Sequence, residues 1–194
     1  MPMPVAAEHP AILSQLRTET RPYHDALEQN TFNQELTAGT ISQAATVHFL
    51  RRLYGFLRPY ETQLRAQAAA FGPEWQLDQR YRAHLILEDL ARTEDPSVPA
   101  LCPALPPLHT RAQLLGAMYV LEGSTLGGQV IRRQLAKAGI PLQAYFSGHA
   151  EHTGAMWKSF CQLLTTAVTA EEQPEVVQSA VRTFQHLHAW ISQP

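Results

Sequence analysis

The 194-residue chain has the length of one typical domain and carries a formal charge of −2, with 45% hydrophobic and 16% charged residues. That balance describes a globular protein able to bury its own core, and it excludes sequence-independent nucleic-acid binding, which needs a basic surface. Two cysteines, Cys102 and Cys161, are too few for a disulfide framework and suit a reducing compartment.

Residues 1–10 hold prolines but no apolar segment of the kind a secretory signal needs, so they are expected to form a loose arm ahead of a single helical domain over 11–194. No apolar run approaches bilayer length and no tail anchor is expected at the C-terminal end, so a cytoplasmic protein without membrane association is expected. Helical periodicity dominates, strand alternation is scarce, and five or six helices are predicted.

The first predicted helix carries Arg17, Arg21, His24 and Glu28 at spacings that place them on one stripe. A neutral imidazole ligates iron through Nε2 when something fixes its other nitrogen, and a carboxylate one turn later is placed to accept the Nδ1 proton. Two guanidiniums on the same stripe suit the two propionates of a haem. The same spacing also describes an ordinary solvated face. Pro22 leaves a second choice open: it either interrupts this helix or, with Thr20 as cap, sits in the first turn of a new one, in which case Arg17 leaves the stripe.

The second helix is expected to begin near a capping Thr40, to turn Val47, Leu50, Leu53, Tyr54, Leu57 and Leu64 inward and to kink at Pro59. A third is predicted over about 78–92. Pro96, Pro99, Pro103, Pro106 and Pro107 then exclude a continuous helix and mark an extended connection. Thr110 is the predicted cap of a long helix that ends at Gly139-Ile140-Pro141. Its middle is weak: Gly123, Gly127 and Gly128 together cost roughly 3 kcal/mol relative to alanine. Such glycines permit a kink and close approach of a flat ligand, with Ser124 and Thr125 supplying hydroxyls beside it; tight packing of a neighbouring helix is the other reading. Two last helices are predicted over about 153–170 and 174–190, the latter with Pro174 in its first turn.

His48, His84, His149, His152, His186 and His188 are scattered without the spacing of common zinc sites, and neither a P-loop nor a dinucleotide-binding fingerprint is present.

Two passages together resemble the haem oxygenase family. Leu16-Arg17-Thr18-Glu19-Thr20-Arg21-Pro22-Tyr23-His24-Asp25-Ala26-Leu27-Glu28 is similar to its proximal helix, and Tyr119-Val120-Leu121-Glu122-Gly123-Ser124-Thr125-Leu126-Gly127-Gly128-Gln129 to its distal glycine-rich helix, in the form of bacterial and bacteriophytochrome-associated members. Phe49-Leu50-Arg51-Arg52-Leu53-Tyr54-Gly55-Phe56 is a weaker match, and the resemblance runs from about Ile12 to Trp190.

The resemblance implies an all-α, single-domain bundle with haem between a proximal helix and a kinked distal one. It implies haem as both substrate and cofactor, with iron bound by His24, Glu28 as orienting carboxylate, and Arg17, Arg21 and Lys158 toward the propionates. Gly123, Gly127 and Gly128 would form the distal wall. Animal members carry an aspartate directly after the first distal glycine, where it organises water; this chain has Ser124, so the distal proton network differs, with Ser124 and the backbone at Gly123 in its place. The implied reaction consumes dioxygen and external electrons, from a ferredoxin, flavodoxin or reductase, and yields biliverdin, carbon monoxide and ferrous iron. A phytochrome is an implied acceptor for the biliverdin. A haem carrier, store or sensor that does not turn haem over is the alternative that Ser124 keeps open.

Overall fold

The computed structural model describes residues 12–95 and 97–193, so the expected arm over 1–10 lies outside the described residues. Among the described residues there is no strand, and eight α-helices follow in order: α1 (Ile12–Glu28), α2 (Thr31–Ala38), α3 (Gln43–Ala66), α4 (Leu77–Arg80), α5 (Ala83–Leu90), α6 (Arg111–Lys137), α7 (Thr153–Ala167) and α8 (Gln173–Ile191). None is long and apolar enough to cross a membrane.

The choice left open at Pro22 is resolved in favour of one helix. α1 runs through the proline without a break, Pro22 sits on the exposed face, and the carbonyl of Thr18, which loses its usual partner there, is also on that face and can turn to water. Thr20 is no cap; it is buried, and its hydroxyl donates to the Leu16 carbonyl at 2.7 Å. Arg17 therefore stays on the stripe.

Three other expectations change. α2 was not anticipated, because its signals are local ones packed into ten residues. Asn30 caps it by accepting from the Asn33 amide at 3.0 Å, and Gly39 closes it in the left-handed region at φ +70°. α3 is capped by Ser42 rather than Thr40, and it continues through Pro59. The helix expected over 78–92 is two helices separated at Tyr81 and Arg82. The amides of Arg82 and Ala83 donate to Glu61 of α3, so a side chain from another helix caps α5. No sequence neighbour announces that cap.

The Thr110 cap is present as a full capping box with Gln113, and α6 runs through all three glycines without interruption. α8 packs along both α6 and α1. Leu114, Leu115 and Met118 of α6 bury fully, as do Val176 and Ala180 of α8, each large apolar side chain contributing about 1.5–3 kcal/mol. Gly116 allows the two axes to approach: a Cβ there would come within 2.3 Å of the Val176 carbonyl oxygen. The proline-rich connection packs against α3 and the end of α8, where the Cys102 amide donates to the Gly55 carbonyl at 2.8 Å. This frame fixes α1 and α6 as facing walls.

Candidate functional site

Between those walls lies a cavity of about 530 Å³, within the range of small-molecule sites. α1 contributes Arg17, Thr20, Arg21, His24, Asp25 and Glu28, and α6 contributes Tyr119 through Leu121 and Gly123 through Gly128. Phe49 and Leu53 of α3, Phe184 and Leu187 of α8, Trp157 of α7 and Phe146 close the apolar remainder. Every residue expected at the site is brought to this cleft except Lys158, which is exposed on α7 and is not among the lining residues.

The proximal wall is half wet. His24 retains 53% of its side-chain exposure and meets the ring of Phe184 edge-on at 5.9 Å. Its environment differs from the expected one in detail: Nε2 lies 3.7 Å from Glu28 Oε1, while Nδ1 lies 3.6 Å from Asp25 Oδ1. Both separations exceed hydrogen-bond length. Glu28 therefore does not hold Nδ1 here; a half-turn of the ring about its Cβ–Cγ bond exchanges the two edges. Arg21 pairs with Asp25 at 3.7 Å, an exposed contact of small energetic weight.

The distal wall shows why its glycines are there. A Cβ on Gly127 would meet nothing within 4 Å, and one on Gly123 would only touch Trp157 at 3.5 Å. At Gly127 there is room that no described residue fills, and at Gly123 a methyl group would fit against the indole. Gly128 answers the other reading, since its Cβ would come to 3.2 Å from the Phe146 carbonyl oxygen. Ser124 lines the cleft, but its hydroxyl donates to the Leu121 carbonyl at 2.7 Å, which leaves Oγ as an acceptor toward the cavity.

Sequence reasoning missed a buried polar set behind α6. Glu122 forms an ion pair with Arg80, and Arg82 donates from Nη2 to the Leu121 carbonyl at 2.8 Å while also lining the cleft. His149, set aside among scattered histidines, places Nε2 3.6 Å from Glu122 Oε2. Burial opposes ionisation of Glu122, yet His149, Arg82 and Arg80 override it and hold the carboxyl below its ordinary range. One signal was available: Glu122 stands on the apolar face of a helix, where a carboxylate needs cations brought from elsewhere in the chain. Asp89 of α5, also fully buried, accepts from the amides of Ala144 and Tyr145 and thereby fixes the start of the loop that carries His149; burial pushes its carboxyl up.

Fold and cleft define an all-α protein with a largely apolar cleft between a histidine-bearing helix and a glycine-opened one. A heme oxygenase of Xanthomonas campestris pv. campestris (strain 8004) is 31% identical over 163 residues, covering 82% of this chain and 96% of that protein. The chain belongs to the haem oxygenase family. Among solved structures, the heme oxygenase of Leptospira interrogans superposes with a TM-score of 0.77 at 17% identity, covering 94% of this chain and 99% of that one. The NO- and CO-bound heme oxygenase of Neisseria meningitidis gives 0.77 at 19% identity, over 94% and 91% of the two chains. Both likenesses are of fold. No family model matches the chain.

Proposed function

We propose that this protein degrades haem with dioxygen and externally supplied electrons, releasing biliverdin, carbon monoxide and ferrous iron. The observation that carries the reading is Gly127: in a member of this family, a helix gives up a side chain at a point where no atom of the described residues lies within 4 Å, on the same apolar cleft that His24 lines. The cleft's volume and its apolar walls, with cationic and imidazole groups along α1, fit a flat macrocycle bearing two carboxylates.

In this reading His24 would hold the iron, as a neutral imidazole whose second nitrogen would be steadied by Glu28 after the ring turn, or by Asp25 on a small approach from its present 3.6 Å. Arg17 and Arg21 pair with the propionates and so fix rotation of the ring within the cleft. Gly123, Gly127 and Gly128 set how closely the distal backbone approaches, which selects the edge exposed to attack. Ser124 Oγ accepts a hydrogen bond from a distal water and orients it, and Arg82 donates on the same wall. Bound haem supplies the redox and dioxygen chemistry; the chain supplies ligation, orientation and electrostatics. Electrons come from a ferredoxin, flavodoxin or reductase, and a phytochrome is a fitting acceptor of the biliverdin. The free thiols of Cys102 and Cys161 suit a reducing cytoplasmic setting.

The test is a visible-absorption time course of protein loaded with one equivalent of ferric haem, given ascorbate or a ferredoxin system in air with catalase present. Loss of the Soret band with growth of a red biliverdin band is expected. Ser124, whose proton is already committed to Leu121, favours a haem carrier as second reading. A stable ferric or ferrous-dioxygen spectrum would decide for that carrier.

A further inference from the structure

Glu122 sits immediately before Gly123, yet it is not among the residues that line the cleft. Its side chain is 5% exposed, that of its partner Arg80 1% and that of His149 9%. Arg80, on α4, also donates from Nε to the Trp75 carbonyl at 2.7 Å, so the guanidinium is fixed at both ends. Tyr60 and Glu61 of α3 complete the surroundings: Tyr60 is held protonated by burial and by the two carboxylates, and Glu61 accepts the Arg82 and Ala83 amides.

Among the described residues, two guanidinium donors in this set, Arg80 Nη2 and Arg82 Nε, have no hydrogen-bond partner, and His149 Nε2 meets Glu122 Oε2 only at 3.6 Å. Arg82, 3% exposed, belongs at once to the charge cluster and to the cleft wall. His149 follows Gly148, another lining residue. The charges behind α6 are thus joined to the cleft at two points.

Stability does not account for such a cluster. A buried ion pair is commonly matched or bettered by apolar side chains of the same volume, because desolvation offsets the attraction. What the cluster does supply is a charge in a region of low dielectric, where its influence extends further than at the surface. Ser124 offers hydrogen bonding but no charge, whereas Arg82 brings a positive charge to the cleft wall.

Resting on the haem reading above, we propose that Glu122 is a positioning residue of the distal wall: its negative charge behind α6 opposes the positive charge that Arg82 presents, Arg80 counters it, and the balance between Glu122 and Arg80 sets how tightly an anion binds to the haem iron. The role is electrostatic and acts through Arg82.

The experiment uses the ferric haem complex and titrates it with azide, followed by fluoride, in the visible spectrum. Glu122→Gln removes the negative charge and is expected to lower the azide dissociation constant about tenfold. Arg80→Gln is expected to raise it by a similar factor, and the charge-neutral double variant Arg80→Gln/Glu122→Gln to return it to within about twofold of the parent. Glu122→Asp, which keeps the charge, should also stay near the parent. Folded, haem-loaded single variants that bind azide within about twofold of the parent would overturn the proposal. So would shifts in the same direction for both, the mark of packing damage. Where only one single variant folds, its own shift decides; failure of both to fold would assign the cluster a structural role instead. Failure of the haem reading is separately visible, because the parent protein would then form no Soret complex.

Discussion

Gly127 and Gly128 are adjacent on α6 but answer to different neighbours: a Cβ on the first, a lining residue of the cleft, would meet none of the described residues within 4 Å, while one on the second would press on the Phe146 carbonyl at 3.2 Å. The two positions should therefore separate folding from ligand binding. Gly127→Ala is expected to stabilise the ligand-free protein by about 0.8–1 kcal/mol through helix propensity, and Gly127→Leu to leave it folded while blocking haem. Gly128→Ala should lose part of the same gain to strain. Thermal melts of the ligand-free forms, followed by haem titration at the Soret band, check both; a Gly127→Leu variant that binds haem like the parent would remove the glycine from the site.

His24 makes the sharpest demand. His24→Ala should fold normally, since the side chain is half exposed and contributes only an edge contact with Phe184. The ferric complex should lose the spectral signature of imidazole ligation, with partial recovery on addition of free imidazole. An unchanged ligand-field spectrum would place the iron ligand elsewhere.

The arginines and Lys158 form a graded comparison. Arg17→Ala and Arg21→Ala are each expected to weaken haem binding about fivefold at low salt, with the loss shrinking as ionic strength rises, because both side chains meet solvent at the cleft mouth. Lys158→Ala should leave affinity within about twofold, its side chain being exposed and outside the lining. Equilibrium titrations at two salt concentrations distinguish these outcomes.

Acid stability should report on Glu122. Its carboxyl is held below the ordinary value of 4.5 in the folded protein, so its contribution is fully present above that value and is lost as pH falls toward the lowered one. Glu122→Gln is expected to reduce stability at neutral pH, where Arg80 is left without its buried counter-charge, and to flatten the loss of stability on the acid side. Denaturant melts between pH 7 and pH 3 measure both effects. Asp89 acts with the opposite sign, its raised carboxyl favouring the protonated form, so its own contribution weakens as pH rises.

The residues legible in the sequence are those whose partners are near in sequence. His24 and Glu28 share a stripe by helical geometry alone, Thr110 and Gln113 cap α6 three residues apart, and the glycines of α6 stand out by their cost. What escaped depends on contacts across the chain. Glu61 caps α5 from 21 residues upstream, and Arg80 meets Glu122 across 42; no periodicity carries either. α2 escaped for another reason, being a two-turn helix whose cap, Asn30, and terminator, Gly39, read equally well as a loop.

Pro22 gives α1 one missing rung on its outer face. The segment before it is pinned by Ile12 and Leu16, 2% and 0% exposed, whereas the segment after it carries His24, Asp25 and Glu28 and is largely in water. In mechanical terms the helix is a beam notched between its anchorage and its loaded end, and a notch is where bending costs least. Bending at that point would shift His24, Asp25 and Glu28 relative to α6 while the buried half of the beam stays in place.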